Sequence, residues 1–272
     1  MKFVPLICLA SAAVAQVQNP ARVEMELMTY PEIDSAIHQQ GKTTAIVYNG
    51  GTEQRGPHAV LSGHTLLARA IAAEIARRLG NALVAPVLPF SPAGGHLNPK
   101  WPGTVNLPAE VYVAVNKAVV ESMVVNGFKN IVLIGDHGGG QAELKALAAK
   151  MDAIHGPKGV HIFYSGAAYY KARTDFDVWS KANHLPLSEH GGIPETSELL
   201  YLGGDRYIRK DKMVAGDPVL APGEKRDLKA ARVNNGVIGD PRLSTAEIGK
   251  RLFDMRVEDA VREIRRLIPA TP

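Results

Sequence analysis

The chain has 272 residues, a formal net charge of +4, 46% hydrophobic residues and 21% charged residues. This composition excludes a disordered chain and is typical of one globular domain with a substantial core. Lysine and arginine are spread along the sequence, and their two local concentrations, 206–212 and 225–232, also contain acidic residues. We therefore expect no nucleic-acid partner.

The first fifteen residues have the pattern of a secretory signal peptide. Lys2 is followed by an apolar stretch, 3–13, and then by the small-x-small sequence Ala13-Val14-Ala15. We expect cleavage after Ala15, a mature domain covering 16–272, and a periplasmic or secreted protein with no membrane partner. The single cysteine, Cys8, lies inside the leader, so the mature chain is expected to contain no disulfide.

Strands and helices alternate along the mature chain. Apolar runs of strand length lie at 43–49, 82–88, 130–135 and 160–165. Segments predicted to be helical lie at 64–79, 108–126, 141–154 and 256–267. The pattern predicts a single-domain α/β fold with a mostly parallel sheet flanked by helices. Ligands of such folds bind at the carboxyl ends of the strands.

Long connections are expected to surround that edge of the sheet. The Gly/Pro-rich segment 89–108 carries His96 and Trp101, which we predict to be substrate-binding residues. Residues 168–188 are rich in aromatic side chains and are expected to form a second wall or a subunit contact. The polar segment 210–232 is predicted to be an excursion from the core.

Three separated segments place ligand-type side chains beside glycines. They are Gly51-Thr52-Glu53-Gln54-Arg55-Gly56-Pro57-His58 with His64, Gly135-Asp136-His137-Gly138-Gly139-Gly140, and Glu189-His190-Gly191-Gly192-Ile193-Pro194-Glu195-Thr196-Ser197. The first two segments follow apolar runs, which would deliver their side chains to one edge of the sheet. Convergence of such ends would create a metal site with open positions.

These segments resemble the motifs of the creatininase (creatinine amidohydrolase) family. Its pattern has a Thr-Glu-Gln-His-Gly-Pro-His stretch closed by Asp, an Asn-Gly-His-Gly-Gly-Asn turn, and a His-Ala-Gly-Glu-type stretch ending in Glu-Thr-Ser. Weaker similarities lie at 101–107 and 236–241, so the resemblance spans roughly 43–252. It implies a metal-dependent hydrolase that cuts small amides and forms a homo-oligomer, by resemblance a hexamer.

The resemblance assigns Glu53 and His137 as metal ligands, but other positions depart from the family pattern. Relatives commonly bind two ions; here His64 replaces the bridging Asp, Arg55 replaces a His of the second ion, and Gly139 stands where creatininase has a further Glu. An imidazole cannot bridge two ions as a carboxylate does, and a guanidinium cannot ligate. We therefore predict one ion per chain.

The expected ligands are Glu53, His64 and His137, a set suited to Zn²⁺, with Mn²⁺ or Fe²⁺ as alternatives. Arg55 is predicted to stabilise a developing oxyanion in place of the second ion. Alternatively, His64 only opens the following helix, and Arg55 only pairs with Glu53 or Glu195.

His190 and Glu195 match the family's acid–base residues by resemblance. Imidazole titrates near neutral pH, so His190 is expected to move a proton to the leaving nitrogen. Glu195 is predicted to ligate metal, orient water, hold His190 or only cap a helix at 196–202. The backbone N–H groups of Gly138 and Gly139 are predicted to bind a substrate carbonyl. Asp136 is expected either to orient a ligating histidine or to cap the next helix.

The sequence thus predicts a metal-dependent amidohydrolase acting through a metal-activated water on a C–N bond of a small-molecule substrate, a cyclic or linear and possibly non-peptide amide. Two alternatives remain open. The same site could serve a lactonase or a lyase or isomerase, or the protein could be a non-catalytic relative that only binds a ligand.

Overall fold

A four-stranded parallel sheet forms the centre of the computed structural model, which describes residues 22–220 and 232–268. The strands, in chain order, are β1 Thr44–Asn49, β2 Ala82–Val84, β3 Asn130–Gly135 and β4 His161–Tyr164. Their order across the sheet is β2-β1-β3-β4. In register, Thr44 faces Ala82 on one side and Asn130 on the other, and Asn130 faces His161. The prediction of a parallel α/β sheet is confirmed.

Helices cover both faces of this sheet. They are α1 Tyr30–His38, α2 Gly63–Leu79, α3 Ala109–Val125, α4 Gln141–His155, α5 Tyr170–Ala182, α6 Ile193–Gly203 and α7 Ala246–Leu267. Alternate residues of β1 point to opposite faces, so Ile46 and Tyr48 pack in a core with α2 and α7. Ala45 and Val47 pack in a second core with α3 and α4. In the described part of the chain, no helix has both the length and the apolarity that a membrane span needs.

Several boundaries differ from the sequence prediction. Strand β2 ends at Val84 instead of residue 88, although Ala85 N still donates to Ile46 O, because Pro86 has no N–H to continue the ladder. Helix α7 begins ten residues before the predicted start of 256, at Ala246, where the Thr245 side chain accepts from Ile248 N. Helices α1 and α5 were not predicted, and the predicted leader 1–15 lies outside the described residues.

The end of β1 packs tightly against the start of α2. A Cβ on Gly50 would lie 2.6 Å from Thr65 Cα, so only glycine permits this approach. The Thr65 hydroxyl donates to Gly51 O at 3.0 Å and fixes the same junction. This packing brings Glu53, which follows β1, and His64, in the first turn of α2, to the carboxyl edge of the sheet.

Candidate metal centre

A single carboxylate, Glu53, lies at the centre of the cluster at this edge. Glu53 is 1% exposed. Its Oε1 is 2.8 Å from His64 Nε2, and its Oε2 is 2.8 Å from His137 Nε2. The ligand-type atoms of the three residues all lie within 4.8 Å of one another. The fold therefore brings together the three ligands predicted from positions far apart in the sequence.

Two partners orient the imidazoles of this cluster. Asp136 Oδ2 lies 2.7 Å from His64 Nδ1, and the Asp136 carboxylate is itself held by the buried guanidinium of Arg256. Gly139 N donates to His137 Nδ1 at 3.0 Å, and the Gly139 carbonyl lies 3.4 Å from the same nitrogen. Asp136 does not cap α4, because the N-cap residue of that helix is Gly140. Of the two roles expected for Asp136, the structure therefore agrees with the orientation of His64.

The chemistry of this donor set fits a divalent transition metal. Two imidazoles and one carboxylate leave coordination positions for water and substrate. The Asp136 contact allows Nδ1 of His64 to keep its proton while Nε2 faces Glu53, an arrangement common behind metal-ligating histidines. Burial opposes ionisation of Glu53, but the neighbouring His64 and the hydrogen bonds from both imidazoles hold the pKa of its carboxyl well below the usual range. Glu53 is therefore ionised, as a ligand must be.

Two further histidines approach Glu53 from the cleft side. His96 Nε2 lies 3.6 Å from Glu53 Oε2, and His190 Nδ1 lies 3.6 Å from Glu53 Oε1. Their rings are in contact, with centroids 4.3 Å apart and planes tilted by 34°. His96, His190 and Glu53 form a second group with ligand spacing, but it has longer contacts and is more exposed than the His64–His137 group. The segment 89–108 thus contributes His96 to the site as predicted.

Arg55 is completely buried behind the cluster. Its Nη2 is 3.5 Å from Glu53 Oε1, and its Nη1 forms an ion pair with Glu195 Oε2 at 2.7 Å. Arg55 is not among the residues that line the cleft. The predicted direct contact with a substrate oxyanion therefore has no geometric basis in the described chain. The charged groups that the cation contacts are the carboxylates of Glu53 and Glu195.

Glu195 and His190 occupy one side of the cleft. Glu195 Oε2 accepts from Gly191 N at 2.7 Å and pairs with Arg55. Burial opposes ionisation of Glu195, but the charges of Arg55, His190 and His64 together outweigh it and lower the pKa to about 2. His190 Nε2 lies 2.7 Å from the carbonyl oxygen of Gln54, to which it can only donate. Burial lowers the pKa of His190 to about 4, so near neutral pH its Nδ1 is an unprotonated acceptor.

The glycines of the second segment are explained by close packing. A Cβ on Gly139 would lie 1.9 Å from Pro92 O, and one on Gly138 would lie 2.6 Å from the Tyr169 hydroxyl. Because Gly139 N already donates to His137, it is not available for the predicted substrate contact. Gly138 does line the cleft, whereas Trp101 is half-buried elsewhere in its loop and does not line it.

Several residues of the site were not predicted. Arg256 Nη1 donates to both carboxylate oxygens of Glu198 at 3.2 and 3.1 Å. One signal existed in the sequence, because Arg256 interrupts the apolar stripe of α7. Tyr169 and Arg173, at the start of α5, complete the cleft wall; the segment 168–188 was expected to form a wall or a subunit contact, but no sequence signal singled out Arg173. His58 bonds Thr196 at 2.9 Å and is buried, which agrees with a structural role.

The cleft has a volume of about 430 Å³ and is open to solvent. It is lined by Glu53, His64, His96, His137, Gly138, Gly139, Tyr169, Arg173, Glu189, His190, Glu195 and Ile238. A larger groove of about 690 Å³ lies between α2 and α7, but no histidine lines it. Of these two cavities, the smaller cleft combines metal-binding groups with acid–base groups, so we assign the candidate site there.

A parallel α/β fold with this cluster at its carboxyl edge has the arrangement of a metal-dependent hydrolase. The chain belongs to the creatininase family, since the family's sequence profile, described as creatinine amidohydrolase, matches residues 26–264.

A characterised relative is the mycofactocin precursor peptide peptidase of Mycobacterium tuberculosis (strain ATCC 25618 / H37Rv). It is 28% identical over 256 residues, which cover 88% of this chain and 92% of the relative. Among solved structures, a Mn creatininase superposes with a TM-score of 0.75 at 22% identity, covering 92% of this chain and 100% of that one. A mutant creatininase of Zn-Zn type also gives 0.75, at 21% identity, with 92% and 99% coverage. The structural similarity supports the fold prediction.

Proposed function

We propose that the protein hydrolyses a C–N bond of a small amide with the help of one metal ion, most suitably Zn²⁺, held by Glu53, His64 and His137. The observation that carries the proposal is the pair of 2.8 Å contacts from Glu53 to the two imidazoles, at the floor of an open cleft. The family's fold and the peptidase among its members support C–N bond hydrolysis.

The charge balance of the buried site supports one ion instead of two. Its buried carboxylates are Glu53, Asp136, Glu195 and Glu198. Its buried guanidinium groups are Arg55 and Arg256. With neutral histidines, the net charge is 2 − 4 = −2 when Glu198 is ionised and 2 − 3 = −1 when it is protonated, since its pKa is raised to about 7, so one divalent cation brings the site to between 0 and +1. A second ion would leave excess positive charge in a region where burial makes unbalanced charge costly.

When bound, the ion would polarise the scissile carbonyl and lower the pKa of a water molecule. His190 faces this position with the Nδ1 atom that its bond to Gln54 leaves unprotonated. We assign to His190 the transfer of a proton from the attacking water to the leaving nitrogen. Glu195 is less suited to this step because its Oε2 is already engaged by Gly191 and Arg55.

Arg55 is assigned a positioning role in this mechanism. Its ion pairs fix Glu53 and Glu195 relative to each other, and its charge offsets part of theirs without occupying a coordination position. The same charge is the reason that we expect a single ion. Arg55 therefore replaces the electrostatic effect of a second metal but not its contact with substrate.

The first experiment is metal analysis of protein purified without added metal. One ion per chain is expected in the wild type, with a rise toward two in the double variant His64→Asp, Arg55→His, which restores the family's residues. Two tightly held ions in the wild type would contradict the one-ion proposal. No ion, even after Zn²⁺ or Mn²⁺ is offered, would favour the non-catalytic alternative.

Substrate profiling then separates the reaction classes. Linear amides, short peptides and cyclic amides should be turned over, and matched esters and lactones should not be preferred. His137→Ala should abolish turnover together with metal binding. Faster turnover of lactones than of amides would favour the lactonase alternative.

We also propose that the protein acts outside the cytoplasm, on the basis of the pattern in residues 1–15. N-terminal sequencing of the mature protein after fractionation should give Gln16 as its first residue. A cytoplasmic product that retains Met1 would contradict this proposal.

A further inference from the structure

Two side chains at the start of α5 present unused hydrogen-bond donors to the catalytic cleft. Tyr169 is the N-cap residue of this helix, and Arg173 lies one turn later, so both side chains lie on the same side of it. Both line the cleft that holds Glu53 and the histidines. Neither residue is needed for the metal cluster or for the proton transfer, so this wall of the cleft has no role in the proposed hydrolysis itself.

Neither donor is used within the described part of the chain. Among residues 22–220 and 232–268, nothing accepts a hydrogen bond from the Tyr169 hydroxyl, and no carboxylate lies within 4.0 Å of the Arg173 guanidinium. The other two arginines of the site are both paired, Arg55 with Glu195 and Arg256 with Glu198. A partly buried guanidinium beside an unbonded hydroxyl, facing a cleft, is suited to receive a group from outside the chain.

Apart from the metal position and the Arg173 wall, the described lining of the cleft is not suited to bind an anion. Its charged lining includes the carboxylates of Glu53, Glu189 and Glu195. Among the described lining residues, Arg173 is the one arginine, and there is no lysine. A guanidinium can hold a carboxylate through two parallel N–H donors, and a phenolic hydroxyl can add a third. Gly138 leaves the space that brings the Tyr169 hydroxyl up to the cleft floor.

We propose that the substrate carries a carboxylate, bound by Arg173 and Tyr169, while its amide lies at the metal cluster. The substrate class is then an N-acyl amino acid or the C-terminal end of a short peptide, instead of a neutral cyclic amide. This inference rests on the proposed amidohydrolase function for the position of the amide. The carboxylate site itself depends only on the two donors and on the charge of the cleft.

Binding to the zinc-loaded protein tests the proposal without requiring turnover. The probes are N-acetylglycine and N-acetyl-β-alanine, which differ by one methylene in the distance between amide and carboxylate, each compared with its neutral primary amide. Calorimetric titration or ligand-observed NMR gives the affinities. We expect the better acid to bind roughly tenfold more tightly than its neutral partner, as for a charge-assisted contact that is partly open to water.

Variants on α5 show which side chain causes the preference for the acid over its neutral amide. Arg173→Gln should remove the preference, and Tyr169→Phe should reduce it by a factor of roughly three, both with unchanged zinc content. Lys181→Gln removes one charge from an exposed position near the end of the same helix and should leave the preference intact.

Two results would overturn the inference. Equal or undetectable binding of acids and neutral amides by the wild type would show that there is no carboxylate site. A preference that survives in Arg173→Gln would show that the ion, and not Arg173, holds the carboxylate. By contrast, an Arg173-dependent preference in a protein that hydrolyses no amide would support the carboxylate site and contradict the proposed function.

Discussion

Replacement of Gly63 by alanine tests whether Arg55 is rigidly held behind the metal cluster. Gly63 begins α2 and directly precedes His64. A Cβ at position 63 would lie 2.7 Å from Arg55 Nε and 3.0 Å from its Cδ and Cζ atoms. The new methyl group would therefore press on the guanidinium at the point where it lies between two carboxylates.

Two opposing effects determine the change in the free energy of unfolding. Alanine favours the helix over glycine by up to about 1 kcal/mol, and Gly63 has no positive φ that would make alanine strained. Overpacking a filled site costs about 1–3 kcal/mol. Arg55 is 0% exposed and paired with Glu53 and Glu195, so it cannot move aside. Gly63 is the first residue of α2, where only about half of the interior helix gain applies, so the net expectation is a destabilisation of about 0.5–2.5 kcal/mol.

Urea unfolding of the zinc-loaded protein gives this difference, and a zinc titration of the same variant reports displacement of His64. Gly95→Ala is the matched control, because its Cβ would have no atom within 4 Å and its φ is not positive. The control should match the wild type in stability and zinc affinity. A Gly63→Ala variant as stable as the wild type, with the same zinc affinity, would refute the view that Arg55 is fixed by its packing.

Three further predictions concern the groups around this cluster. Asp136→Asn should weaken zinc binding about 10- to 100-fold in a competition titration, because it removes the acceptor that orients His64; unchanged affinity would contradict that role. His190→Gln should lower kcat about 10²- to 10⁴-fold while zinc stoichiometry stays at one, whereas loss of zinc would identify His190 as a ligand. Burial raises the pKa of Glu198 to about 7 despite Arg256, so the stability that its protonation contributes is complete below pH 4.5 and is lost as the pH rises through 7. The wild type should therefore lose about 1 kcal/mol between pH 6 and pH 8.5 relative to Glu198→Gln, measured by urea unfolding at both values; a constant difference between the two proteins would contradict the raised pKa.

The positions of Glu53 and His137 could be predicted because their cause is local. Each comes after an apolar run that forms a buried parallel strand, and the residues at the carboxyl ends of parallel strands meet at one edge of the sheet. The position of His64 depends on the close approach of Gly50 to Thr65, but the direction of α2 already brings its first turn to that edge. For these three residues, strand ends and helix starts are sufficient information.

The other contributors depend on packing between elements that are distant in the chain. Arg256 reaches Asp136 only because α7 packs across α6, where Gly249 removes a clash with Ser197 O. From the sequence alone, the guanidinium of Arg55 could have pointed to solvent. It is buried only because the tertiary structure encloses the space behind Glu53. Arg173 lies on a helix whose orientation relative to the sheet has no signature in the sequence. These contacts are properties of the tertiary structure.

The covalent attachment of the Arg55 cation has a consequence for how the protein responds to metal supply. A second metal ion can dissociate when free metal is scarce, and an enzyme that needs two ions loses activity steeply under such conditions. A guanidinium cannot dissociate from the chain and cannot be removed by a chelator. A site in which Arg55 supplies part of the positive charge would therefore fill with metal along a simple hyperbolic curve as the free metal concentration rises. Natural selection would then act on a single metal affinity.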